Sequence, residues 1–132
     1  MFLNRLTTDE KKAFLELAHH MARSDNNFSE KQKEIISTYC FEMQIDDIDY
    51  KEDSFNLETT LRRFVNKSNQ KIVLLEIMAL VYANDSVDRE EKKILDSIIV
   101  TFNLNPVLTV IYAEWAKSIL AITAQGQALI EL

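Results

Sequence analysis

One glycine, Gly126, and one proline, Pro106, serve a chain of 132 residues. Average usage would supply about nine glycines and about seven prolines in that length. Sandwiches and barrels need many tight turns, and those turns lean on Gly and Pro, so an all-β architecture is excluded. The same scarcity removes glycine-rich phosphate loops, and with them dinucleotide-binding and P-loop readings. Helices joined by polar turns need neither residue in quantity. The expectation is an all-α bundle, and with 47% apolar and 27% charged residues the chain has material for a core. The length suits a single domain over residues 1–132.

Six helical segments follow from caps and periodicity. The first opens at Thr7 with Glu10 as its capping-box partner, and Phe14, Leu17, Ala18, Met21 and Ala22 follow the 3.6-residue period. The second opens at Ser29 with Gln32, and carries Ile35, Ile36, Tyr39, Cys40 and Met43 on one side. After an acidic connection from Gln44 to Asp53, a third segment shows Leu57, Leu61, Phe64 and Val65. The fourth begins at Ser68 or Asn69. Between Lys71 and Ala83 its only charges are Lys71 and Glu76, so it belongs at the centre of the bundle. The fifth opens at Asp88 with Glu91 and presents Ile94, Leu95, Ile98, Ile99 and Phe102. Asn105 caps the sixth, with Pro106 at its first position. Its predicted apolar face is Leu108, Ile111, Trp115, Ile119 and Ile122, and Gly126 is expected to weaken its last turns.

A shift of 59 residues lays the first two helices on the fourth and fifth. Phe14 meets Val73, Leu15 meets Leu74, Ala18 meets Ile77, Met21 meets Leu80, and Ile35 meets Ile94. The caps coincide too, Ser29 on Asp88 and Gln32 on Glu91, and an apolar residue precedes each, Phe28 and Val87. The pattern is a duplicated αα-hairpin. In the first copy the chain reverses at Asn26 or Asn27 through a left-handed conformation, which Asn tolerates; in the second, Asn84, Asp85 and Ser86 do this work.

The two stretches Met21–Gln32 and Val81–Glu91 resemble the paired motif of the TerB-like tellurite-resistance family: a small residue, Ala, Asp, Gly, any residue, an apolar residue, Ser or Asp, and a Glu three residues on. A related domain occurs in some membrane-anchored DnaJ-type co-chaperones. The resemblance covers roughly residues 6–102. It implies an all-helical, cytoplasmic, non-enzymatic protein of tellurite resistance and stress response, with divalent-metal binding through the motif acids. It also implies protein partners, among them membrane-associated resistance proteins. By position, the motif Asp is Asp25 in copy one and Asn84 in copy two. The Gly position holds Asn26 and Asp85, and the motif Glu is Gln32 and Glu91. Each copy lacks one of its two carboxylates.

Calcium and magnesium are held by several oxygen ligands, and Asp25, Asp85, Asp88 and Glu91 are the candidate donors. The plain alternative is that Asp88 and Glu91 only cap a helix while Asp25 and Asp85 sit solvated in turns. A bundle that alternates strictly up and down would put the two turns at opposite ends. The connection from Gln44 to Asp53 can stretch about 33 Å, whereas the second helix is about 21 Å long, so the direction can be reset and a shared site is allowed. Asp25, Asn27 and Ser29 open like a calcium-binding EF-hand loop, but Glu30 stands at its glycine position and Ile36 at its final glutamate position, so that reading fails.

Other reactive residues carry less. His19 and His20 diverge by about 100° on a helix, and metal-binding pairs usually sit four apart. Cys40 reads as a structural thiol on an apolar face, and a lone cysteine excludes an intrachain disulfide and a multi-thiolate zinc site. Tyr112 and Trp115 read as core, with a partner-binding surface as the alternative. No spacing supports a catalytic triad or carboxylate pair. The net charge of −6 disfavours nucleic acid. No stretch at the N-terminus has signal-peptide character, and Glu114, Lys117 and Ser118 interrupt Val107–Ala124, so direct membrane insertion is not expected and the reading is cytoplasmic. The functional expectation is a TerB-like protein that acts by partner binding and is tuned by a divalent cation; the alternative is a metal-free interaction module that binds a helix or a membrane-protein tail.

Overall fold

The computed structural model describes residues 1–84 and 86–132. Among them every regular element is helical: α1 (Thr8–Arg23), α2 (Glu30–Met43), α3 (Leu57–Leu61), α4 (Lys67–Tyr82), α5 (Arg89–Phe102) and α6 (Val107–Ile130), with 3-10 turns at Leu3–Arg5 and Glu52–Ser54. The all-α expectation holds.

The duplication reaches the level of single residues. Helices α4 and α5 repeat α1 and α2 with each boundary moved by 59 positions: 8 to 67, 23 to 82, 30 to 89 and 43 to 102. Ser29 and Asp88 both close reciprocal capping boxes, with Gln32 and Glu91. Both hairpins end alike as well. Gln44 (φ 56°) and Asn103 (φ 52°) take the left-handed conformation that glycine usually supplies. The next amides then reach back, Ile45 N–H to the Cys40 carbonyl at 3.2 Å and Leu104 N–H to the Ile99 carbonyl at 3.0 Å. A chain with almost no glycine thus ends two helices on ordinary residues.

The buried faces of α1 and α4 are mates: Ala13, Phe14, Leu15, Leu17, Ala18, Met21 and Ala22 in one, and Ile72 to Leu74, Glu76, Ile77, Leu80 and Val81 in the other. They pack on each other, and Asn69 Nδ2 donates to Glu10 Oε1 at 2.8 Å across that contact. Helix α4 also touches α2, α5 and α6, so it is central as expected. The buried charge on α4 is accounted for. Glu76 Oε2 accepts from the Met1 ammonium at 2.7 Å and from Phe2 N–H at 2.9 Å, while Tyr39 O–H donates to the Glu76 carbonyl at 2.6 Å.

Several boundaries differ from expectation. Helix α3 stops at Leu61, and Phe64 is buried while Val65 is 82% exposed, because the turn after Arg62 breaks the helical period that would have put both inside. Helix α4 starts at Lys67, capped by Asn66, whose Oδ1 accepts from Asn69 N–H at 2.7 Å. Asn105 Oδ1 accepts from Val107 N–H at 3.1 Å, and Pro106 already has helical angles. The predicted apolar face of α6 is corrected: Ile111 and Ile122 are exposed, because the helix docks on α4 along a narrow line through Ala113 and Ala116. Gly126 does not fray the end, and α6 runs unbroken to Ile130. Lys117 Nζ lies 5.1 Å from the ring of Tyr82, the last residue of α4, so the rest of α6 continues past the end of its neighbour.

Candidate functional site

The long connection between the hairpins decides where their turns lie. It is pinned across α1 by both histidines, which diverge as the helix requires. His19 Nε2 sits 2.8 Å from Asp47 Oδ1 and the ring stacks on Tyr50; His20 Nδ1 sits 3.1 Å from Tyr50 Oη and its ring stacks on Phe55 at 4.3 Å. Burial holds the His20 pKa below its ordinary value, against the opposing pull of Glu52. With the connection laid along α1, the second hairpin starts from the same end as the first. The two turns therefore meet.

They meet in two halves related by the repeat. In one half, Ser29 O–H donates to Asn84 Oδ1 at 3.1 Å. In the other half, the equivalent positions are Asp88 and Asp25, two carboxylates that cannot hydrogen-bond while both are ionised. Glu91 joins them: one oxygen from each of Asp25, Asp88 and Glu91 lies within 4.8 Å of the others. Asp85, the fourth candidate donor, lies outside the described residues.

Local chemistry fixes each acid. Asp25 Oδ1 accepts from Asn27 N–H at 2.9 Å, and Asn26, at φ 60°, makes the left-handed corner that the sequence predicts at Asn26 or Asn27. Asp88 Oδ1 accepts from Glu91 N–H at 2.7 Å, and Glu91 Oε1 accepts from Asp88 N–H at 3.2 Å. Asp88 and Glu91 therefore serve the helix cap and the cluster at once. Glu91 is 2% exposed, and its second oxygen, Oε2, is buried with no hydrogen-bond partner among the described residues. Burial pushes its pKa up to about 7, and the charges of Asp88 and Asp25 add to that, against the backbone hydrogen bond from Asp88. Its mate Gln32, fully buried, faces the neutral half.

The arrangement suits a hard divalent cation. Metal–oxygen bonds of about 2.3–2.6 Å for calcium let one ion bridge oxygens up to about 5 Å apart, with the remaining positions filled by carbonyls or water. A proton on Glu91 is the competing way to relieve the same repulsion. The sequence placed these acids in separate copies. It did not single out Ser29 and Asn84 as a contact, although the 59-residue shift carries that signal: whatever brings Asp25 to Asp88 also brings Asn84 to Ser29.

The remaining candidates do not converge on this cluster. Cys40 is half-buried, and burial together with the Asp47 carboxylate pushes its thiol up to about 11, so it stays protonated and unreactive. Tyr112 and Trp115 are half-buried against the core, and Trp115 packs 6.3 Å from Phe2. An open cavity of about 480 Å³ lies beside the turns, with His20, Arg23, Tyr50, Glu52 and Lys93 in its wall. A smaller groove of about 330 Å³ lies between α4, α5 and α6, with Met78, Tyr82, Val87, Leu95 and Ala113 as its apolar lining. Comparison with protein-family models, curated proteins and solved structures finds no match to this chain.

Proposed function

We propose that this chain is a TerB-like, non-enzymatic protein of tellurite resistance or stress response, acting by binding protein partners and tuned by a divalent cation held between its two hairpin turns. The observation that carries the ion is the convergence of Asp25, Asp88 and Glu91 from separate hairpins, with a buried carboxylate oxygen left unpaired beside them. A cation there ties turn to turn, replacing in the acidic half what the Ser29–Asn84 hydrogen bond supplies in the neutral half. The ion's effect would thus fall on the relative placement of the two hairpins and on any surface they share.

Calorimetric titration with calcium and with magnesium tests this. Saturable heat with a rise in melting temperature is expected, and both should vanish in Asp25→Asn. Absence of heat and of any thermal shift at millimolar metal removes the ion. A second reading is a metal-free interaction module that binds a helix or a membrane-protein tail. It is favoured by the apolar groove between α4, α5 and α6, rimmed by Lys92, Asp96, Glu114 and Lys117. Partner capture that is equal with and without metal would select it.

A further inference from the structure

On α1, His20 and Arg23 lie one turn apart on a face, and the 59-residue shift puts Ala79 and Tyr82 at the same places on α4. The second helix keeps the length of the first without either side chain, so the hairpin scaffold does not require them. His20 is spent on fixing the long connection, through Tyr50 and Phe55. Arg23 is placed differently. Its guanidinium lies over the ring of Phe28 at 4.5 Å and that of Tyr50 at 5.4 Å, and one N–H donates to His19 Nδ1 at a long 3.4 Å. Among the described residues it pairs with no carboxylate, in a chain that holds 21 acidic residues against 15 basic ones.

Aromatic rings hold a guanidinium by its face and leave donors on its edge for a carboxylate. Arg23 lines the open cavity of about 480 Å³ beside the turns, and so does Glu52, which also has no ion-pair partner among the described residues. Both charges act on the Tyr50 hydroxyl in the same wall: burial raises its pKa, Glu52 raises it further, and Arg23 opposes them. Two opposite charges thus stand around one hydroxyl without pairing with each other. On the α5 side, Glu90 and Lys93 are already joined at 3.3 Å. Leu57, at the start of α3, and Ile94 of α5 add apolar surface.

We propose that this cavity binds a free α-amino acid with an aliphatic side chain, its carboxylate on Arg23, its ammonium on Glu52, and its side chain against Leu57 and Ile94. The charge pattern selects the class. A polyanion would be repelled by Glu52 and Glu90, and a polyamine by Arg23 and Lys93; a molecule with one charge of each sign avoids both penalties. The planar fork of arginine matches a carboxylate in two parallel hydrogen bonds. The volume falls within the range of about 300–1,000 Å³ usual for small-molecule sites. Because the cavity is open and its charges stay hydrated, the expected affinity is millimolar. The site uses none of Asp25, Asp88 and Glu91, so it stands whether or not a cation binds there.

Nuclear magnetic resonance titration of the full chain, with no divalent metal added, tests the proposal with leucine, N-acetyl-leucine and leucinamide. The first carries both charges, the second only the carboxylate and the third only the ammonium. Leucine should bind saturably and shift the Arg23 side-chain and Ile94 amide signals, and each analogue should bind about tenfold more weakly. Arg23→Gln should weaken leucine and N-acetyl-leucine about tenfold and leave leucinamide unchanged; Glu52→Gln should weaken leucine and leucinamide and leave N-acetyl-leucine unchanged. Glu52 lies exposed on a 3-10 turn, so its variant keeps the proposal testable even if loss of the Arg23 stacking disturbs α1. Equal binding of all three compounds, leucine binding that Glu52→Gln leaves intact, or no saturable shift with leucine at tens of millimolar would overturn the proposal.

Discussion

Glu91 and Gln32 stand at the same position in two copies of one hairpin and differ by a carboxylate in place of an amide. Both are buried, and both close a capping box, but only Glu91 faces two further acids. In metal-free protein its pKa of about 7 lies above the ordinary 4.5. Between those values the folded chain holds a proton that the unfolded chain has released. The group's contribution to stability is therefore complete below about 4.5 and is lost as pH rises through about 7. Glu91→Gln should remove that pH dependence and stabilise the metal-free protein above pH 7, because it converts the acidic half into a copy of the neutral one. Thermal melts between pH 5 and 8, with and without a chelator, measure it; an unchanged slope would show that Glu91 titrates normally. The identity and spacing of these acids were legible in the sequence. Their mutual distance was not, since Asp25 and Asp88 are brought together by a connection whose path no local pattern encodes.

At the scale of helices, capping carried most of the information. Thr7, Ser29 and Asp88 mark their helix starts because a short polar side chain can take up a free amide there and little else can. Helix ends were harder to read. Gln44 and Asn103 adopt left-handed angles without being glycine, and Gln44 lies outside the residue types that announce such a corner. Gln44→Gly should therefore stabilise the fold by about 0.5–1 kcal/mol, relieving the steric cost of a side chain at positive φ. Urea denaturation measures it; a loss of stability would mean that the Gln44 side chain has favourable contacts that outweigh its strain. Helix α6 shows the opposite limit. Its periodicity correctly indicates a helix but not how much of it the bundle covers, and so Ile111 and Ile122 fell on the wrong side of the expected core.

For the whole molecule, the central position of α4 sets the energetics. Ile77 is fully buried at the centre of α4, which packs against helices of both hairpins, so Ile77→Ala should cost about 2–5 kcal/mol. Val65→Ala, at a largely exposed site that the sequence counted among the apolar positions of the third helical segment, should change stability by less than about 0.5 kcal/mol. Chemical denaturation of both variants compares them, and similar costs would contradict the burial pattern. The sequence by itself determined that the chain is helical, that it holds a hairpin twice, and where those hairpins turn, since these follow from caps and periods acting over a few residues. Only the tertiary structure decided that the two turns lie side by side and that half of α6 stands clear of the bundle. Both outcomes depend on the route of a ten-residue connection and on which of several apolar faces wins contact with α4, competitions among distant groups that no short window of sequence contains.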